Sequence, residues 1–114
     1  MNPQIILNSV AHFFAISEDE IKGAKKPRPI AEARKVYFYL SRRLTKYSFN
    51  SIGDLVNKDH ATVMHGVKSC SQLMDVYPDF RDQVNQLERE LIGEKESNVE
   101  RVKLIIQENR LKTA

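Results

Sequence analysis

The residues most able to do chemistry stand in one stretch, IGDLVNKDHATVMHG at 52–66. Asp59 and His60 are adjacent, Thr62 follows closely, and a second histidine stands at position 65. Such a cluster suits the start of a metal site, a catalytic dyad, or the start of a helix that contacts DNA. Because the three interpretations need different partners elsewhere in the chain, the rest of the sequence discriminates among them.

The histidines do not have the spacing of a metal site. Zinc in proteins takes three or four ligands. His60 and His65 stand roughly 140° apart around a helix, whereas paired helical ligands are usually four residues apart on one face. His12 is distant in sequence, and Cys70 is the only cysteine. We therefore predict neither a metal nor another cofactor.

Catalysis lacks the residues it would need, so we predict that the chain is not an enzyme. A cysteine nucleophile needs an adjacent base, and Cys70 stands in a helical stretch with no oxyanion signature. The phosphate-binding pattern G-x-x-x-x-G-K-[ST] is absent. None of the four glycines lies in a glycine-rich turn, so no nucleotide-binding motif is present.

A helix-turn-helix accounts for more of the stretch. An apolar pattern over 48–56 predicts a short helix, Asn57 and Lys58 predict a turn, and Asp59 is a good N-cap for a second helix. In this motif the N-terminal residues of the second helix enter the major groove of DNA. The predicted base-contacting residues are therefore Asp59, His60, Ala61 and Thr62.

Each of these side chains is chemically suited to a group on DNA. Asp59 can cap the helix or accept a hydrogen bond from a cytosine amino group, and His60 can donate to a purine. The methyl group of Ala61 suits a thymine methyl. Thr62, His65 and Lys68 are placed to meet phosphates, which the start of a helix also favours.

Positive charge is concentrated around this stretch. The 114 residues carry a net charge of +3, but residues 22–76 hold eleven Lys or Arg and four Asp or Glu, a local charge of +7. Residues 1–21 total −3 and residues 77–114 total −1. A local excess of this size favours a polyanionic partner.

The spacing of apolar residues predicts an all-α fold, since strand-like alternation and hairpin turns are nearly absent. In the pattern from Ile30 to Tyr47, Tyr47 belongs to the apolar stripe, whereas Arg34 and Lys35 lie off it. A capping box at Ser17 predicts a short helix that stops near Gly23. The other predicted helices are 3–15, 30–47, 48–56, 59–74, 79–92 with Gly93 as its C-cap, and 96–112, with an exposed basic loop at 24–29.

We predict two parts, a helix-turn-helix domain at 1–76 and a helical extension at 77–114. The extension carries two apolar stripes, and it is expected to pack on the domain or to form a homodimer through 79–112. A third possibility is a helical protein–protein adaptor that acts through these helices. The stripes are Phe80, Val84, Leu87 and Leu91, then Val99, Val102 and Ile106.

The order and spacing of residues from Val10 to Met74 resemble the C-terminal DNA-binding domain of the bacterial replication initiator DnaA. The matching segments are VAHFFAISEDEIKG, ARKVYFYLSRRLT and SFNSIGDLV-KDHATVMHGVK, with a basic loop between the first two. The resemblance implies sequence-specific binding to double-stranded DNA, related to replication initiation or its regulation. A stand-alone transcriptional regulator is an alternative.

The resemblance also assigns roles by position. It places 59–62 in the major groove and the basic loop after the short capped helix in the adjacent minor groove. The loop candidates are Lys25, Lys26 and Arg28, with Lys26 at the best alignment. The resemblance places phosphate contacts at Arg34, Lys35 and His65, and we also expect phosphate contacts at Lys58 and Lys68.

The sequence departs from the family pattern at three places. Ala61 stands where Ser or Thr is usual, lysines occupy the loop where Arg is usual, and Gly66 replaces a small Ala or Ser. We expect Gly66 to loosen the recognition helix by roughly 0.5–1 kcal/mol. We also expect a DNA preference that differs from the usual initiator box.

Composition suggests where the protein acts. The sequence has no apolar run of about 18 residues, no basic start typical of a secretory signal, and one cysteine. We therefore expect a cytoplasmic, nucleoid-associated protein with no membrane partner. The ATPase module of the initiator is absent from these residues, and Met1 with the extra helix favours an independent protein over an excised fragment.

Overall fold

The computed structural model describes residues 1–24 and 27–93, and the regular secondary structure of this part of the chain is entirely helical. It contains no strand, which confirms the predicted all-α class. None of its helices is long and apolar enough to cross a membrane. The helices are α1 (Pro3–Phe14), α2 (Glu18–Lys22), α3 (Arg28–Leu44), α4 (Phe49–Asp54), α5 (His60–Val76) and α6 (78–93).

Local capping interactions determine where the first two helices begin. The side chain of Asn2 accepts a hydrogen bond from the backbone of Ile5 at 3.0 Å, and Pro3 occupies the first turn, where its missing N–H costs little. The predicted capping box is formed, because Ser17 and Glu20 each bond the other's backbone amide. Gly23 ends α2 as expected.

The long helix α3 is displaced from its predicted bounds at both ends. It begins at Arg28, since Pro29 is tolerated in a first turn and Arg28 pairs with Glu32 one turn later at 3.0 Å. It ends at Leu44, where the Thr45 hydroxyl donates to the carbonyl of Ser41. Tyr47, predicted to face inward, is therefore beyond the helix and 46% exposed.

The helix-turn-helix is formed by α4, a tight turn and α5. Ser48 caps α4, and Asn57 adopts the left-handed conformation with φ of 59°. The turn closes when the backbone N–H of Lys58 donates to the carbonyl of Gly53 at 3.0 Å. A Cβ on Gly53 would lie 2.3 Å from the Lys58 carbonyl oxygen. Only glycine therefore fits this turn without displacing backbone.

Helix α6 packs on the same core as the first five helices. All four residues of its apolar stripe, Phe80, Val84, Leu87 and Leu91, are buried in the hydrophobic cluster with α1, α3, α4 and α5. An ion pair between Arg43 and Glu88 joins α6 to α3. Gly93 still lies within α6, so the predicted C-cap there is wrong.

The second apolar stripe of the extension, at 96–112, lies outside the described residues. The burial of the first stripe within this chain means that α6 does not offer that face to a second copy. Dimerisation through 79–112 stays a prediction, as does the adaptor function.

Candidate nucleic-acid interface

The start of α5 is fixed by its own N-cap. An oxygen of the Asp59 carboxylate accepts a hydrogen bond from the backbone N–H of Thr62 at 2.8 Å. The hydroxyl and the amide of Thr62 both lower the pKa of this carboxyl group, because hydrogen bonds to the charged form favour it. Asp59, His60, Ala61 and Thr62 are all exposed, so the four predicted base-contacting residues share one accessible helix end.

The exposed face of α5 continues beyond this first turn. His65 and Lys68, predicted as phosphate ligands, are exposed on it. Met64 is 49% exposed as well. The opposite face is buried against the core through Val63, Gly66, Cys70 and Met74. Met64 is therefore an apolar side chain on the face that carries the DNA candidates.

Helices α3 and α5 approach closely at Gly66. A Cβ added there would lie 2.3 Å from Cδ2 of Phe38, whose ring is 1% exposed. Phe38 also lies in the wall of an open cleft between the two helices, with Lys35, Thr62 and His65 around it. The cleft thus brings two predicted phosphate ligands, Lys35 and His65, to the flank of the recognition helix.

Two other predicted phosphate ligands have protein partners. The side chain of Arg34 is buried, and its guanidinium donates to the carbonyls of Ile21 at 2.8 Å, Gly23 at 2.9 Å and Glu20 at 3.3 Å. Lys58 Nζ donates to the carbonyl of Gly23 at 2.9 Å. Arg34 was expected off the apolar stripe of α3, and its burial corrects that expectation. Its donors satisfy the end of α2, which no local pattern indicates.

The basic loop is described only at its edges. Lys25 and Lys26, the main minor-groove candidates, lie outside the described residues. Arg28 opens α3, pairs with Glu32, and has its guanidinium carbon 5.9 Å from the centre of the Tyr77 ring. Since Tyr77 follows the last residue of α5, Arg28 lies toward the end of that helix opposite His60.

The lone cysteine is far from reactive. Cys70 is completely buried, and burial raises the pKa of its thiol to about 12. A thiol in that state is protonated at neutral pH and shielded from solvent, unlike the thiolate that nucleophilic or metal-binding cysteines need. No cluster of three or more potential metal ligands occurs in the described ranges.

The sequence profile of a family described as "Bacterial dnaA protein helix-turn-helix" matches residues 3–70, more than half of the chain. The chain belongs to this DnaA helix-turn-helix family. Membership confirms the resemblance drawn from the sequence and the prediction of a helical DNA-binding domain related to replication initiation. The matched region ends within α5 and includes the whole first turn of the recognition helix.

Curated relatives are similar over most of the chain. The chromosomal replication initiator protein DnaA of Ehrlichia ruminantium is 38% identical over 89 residues, which is 77% of this chain and 19% of that protein. The DnaA proteins of Deinococcus radiodurans and Neisseria meningitidis are 35% and 36% identical over 80% and 73% of this chain. The chain spans about a fifth of the length of the DnaA relatives it matches.

Proposed function

We propose that this domain binds a specific short site on double-stranded DNA, with α5 in the major groove and the basic loop in the adjacent minor groove. The observation that supports this most is the start of α5, where a rigid cap holds four exposed side chains at one helix end. Side chains in this position contact base edges in helix-turn-helix proteins.

The proposed base contacts follow from the chemistry of each side chain. His60 donates to a purine N7 or O6, and Ala61 contacts a thymine methyl. Asp59 retains one carboxylate oxygen for a cytosine amino group while the other caps α5. Met64 extends the apolar contact, because it stands one turn after His60 and is half exposed.

Phosphate contacts position the protein along the groove. Lys35 and His65 flank the cleft between α3 and α5, and Lys68 is exposed further along α5. Contacts to phosphate supply affinity without sequence information, whereas the contacts from 59–62 supply specificity. The lysines at 25 and 26 are proposed to enter the minor groove.

The proposed role is recognition without catalysis, at DNA in the bacterial cytoplasm. Neither an activated nucleophile nor a metal cluster is found in the described residues. The domain would mark or regulate sites on DNA, in replication initiation or as a transcriptional regulator. The curated relatives are named replication initiators, which favours the first of these.

Selection of bound duplexes from a random-sequence pool tests the proposal. The wild-type protein is expected to enrich one short site, and the enriched site should differ from the usual initiator box where Ala61 faces it. Enrichment that yields no common sequence would contradict the proposal. A His60→Ala variant is the matched control, because it should bind the pool with similar affinity but enrich the site less strongly and lose the preference for the base that His60 contacts.

A further inference from the structure

Lys58 stands where the turn of the helix-turn-helix meets the recognition helix. Its backbone N–H closes the turn on Gly53, and the next residue, Asp59, caps α5. Its side chain crosses to the end of α2, where Nζ lies 2.9 Å from the carbonyl of Gly23 and 3.4 Å from that of Lys22. Lys58 thus connects the start of α5 to the end of α2, through a contact with Gly23, which is 35 positions away in sequence.

The acceptors are groups that need a donor. The last carbonyls of a helix have no partner within the helix, and α2 has only five residues. Arg34 satisfies the carbonyls of Glu20, Ile21 and Gly23 from the side of α3. Lys58 supplies a second donor to Gly23 from the side of the turn. Both cations therefore donate to backbone carbonyls at the end of α2.

The surroundings of the Lys58 ammonium differ from those of a phosphate ligand. Burial, and then the charge of Arg34, lower the pKa of Lys58. Lys58 is only partly exposed, whereas Lys68 on the outer face of α5 is exposed. A lysine that neutralises phosphate gains from a free, solvated ammonium, and Lys58 instead directs its ammonium to backbone oxygens.

We propose that Lys58 is a positioning residue that fixes the start of the recognition helix against the end of α2, and that it does not contact phosphate. The inference rests on the proposed function, because it assigns Lys58 to specificity at the same interface. Base contacts require their side chains to be held within about 0.5 Å of the productive geometry. Without this contact, the first turn of α5 is no longer tied to the end of α2, so the positions of its base-contacting side chains become less well defined.

Salt-dependent binding of Lys58→Met separates the two roles. The probe is the duplex enriched from the random pool, compared with the same duplex scrambled. If Lys58 positions α5, the ratio of the two affinities falls about tenfold, the loss expected for one mismatched base pair. The slope of log affinity against log salt stays within about 0.3 of wild type, since no phosphate contact is lost.

Lys68→Met is the matched control, a lysine on the same helix that is proposed to meet phosphate. Its slope should fall by about 0.9 with little change in the affinity ratio. The inference is overturned if Lys58→Met behaves like Lys68→Met, or if Lys58→Met changes neither quantity. Lys58→Gln, which also lacks the charge but is shorter and polar, repeats the comparison if Lys58→Met does not fold.

Hydrogen exchange in the free protein tests the contact without DNA. The backbone N–H of Gly23 donates to the carbonyls of Asp19 and Glu20, and this end of α2 should open more often when Lys58 is removed. We expect the Gly23 amide to exchange several-fold faster in Lys58→Met than in Lys68→Met. Equal exchange in both variants overturns the inference even if the wild-type protein enriches a site. If no site is enriched, the proposed function fails, but hydrogen exchange still tests whether Lys58 stabilises the end of α2.

Discussion

Gly66 on the recognition helix and Phe38 on α3 lie so close that a Cβ at Gly66 would be 2.3 Å from the Phe38 ring. The ring is buried and fixed by its neighbours, so it cannot move aside freely. The glycine had been expected to loosen α5. In the structure its missing side chain sets the separation of the two helices instead, and hence the depth at which α5 sits on the domain.

Replacing Gly66 with Ala should therefore destabilise the protein. Overpacking of a core costs about 1–3 kcal/mol, which exceeds the helix-propensity gain of about 1 kcal/mol. Urea unfolding measures the change, with Gly93→Ala as the control because a Cβ at Gly93 meets nothing within 4 Å. Adding Phe38→Leu should recover part of the loss at Gly66. If both alanine variants are stabilised alike, the close approach is not present.

The cap at Asp59 predicts a specific pH dependence of stability. The folded protein lowers the pKa of this carboxyl group, so its stabilising effect is complete above the unfolded value of about 3.9. The effect is lost as the pH falls through the lower folded value. The free energy of unfolding of wild type minus that of Asp59→Asn should be constant from about pH 5 to 8. Below about pH 4 this difference should fall, because wild type alone loses the stabilising effect of the carboxylate. A difference that is flat down to about pH 2 would argue against the cap.

The exposure of Met64 predicts that the affinity for DNA depends on a thymine methyl group. A buried methyl contributes about 0.8 kcal/mol, so uracil in place of a contacted thymine should weaken wild-type binding about fourfold. Met64→Ala should reduce this penalty, because its shorter side chain covers less of the methyl group. Val76→Ala is the control, since Val76 is 66% exposed near the other end of α5. Equal uracil penalties in wild type and Met64→Ala at every position would exclude the contact.

Helix α6 is predicted to stabilise the fold of a single chain, without a second copy. Leu87 is 2% exposed, and truncation of a buried leucine to alanine costs about 2–5 kcal/mol. The exposed neighbour Gln83 should tolerate alanine with a change below about 0.5 kcal/mol. Both effects should be independent of protein concentration in urea unfolding. A cost at Leu87 that depends on concentration would place that side chain in an interface between copies.

The sequence indicated correctly what local chemistry decides. The caps at Ser17 and Asp59 are set by residues within one turn, and the start of the recognition helix was predicted from its N-cap alone. Helix ends that depend on tertiary packing were misplaced, as at Tyr47 and Gly93. Helix α3 ends at Leu44, before Tyr47, and Gly93 still lies within α6, so neither an apolar stripe nor a glycine by itself marks a helix end.

Side-chain roles were harder to predict because they depend on distant partners. Arg34 and Lys58 belong to a basic block that suggests phosphate, and only the folded chain brings the end of α2 within their reach. The exposure of Met64 could not be predicted either, since periodicity alone does not distinguish adjacent apolar residues such as Val63 and Met64 at a face boundary. The charge pattern indicated the region of the proposed interface without indicating which of its cations donate to the protein's own backbone.

The central claim is that the exposed first turn of α5 gives this domain its DNA specificity. Competition binding of wild type and His60→Ala to the enriched duplex and to a scrambled duplex tests it most directly, with salt held constant. We expect His60→Ala to lose about 5- to 150-fold on the enriched duplex, the range for a base contact of about 1–3 kcal/mol, and to bind the scrambled duplex like wild type. Equal losses on both duplexes, or none on either, would contradict the claim.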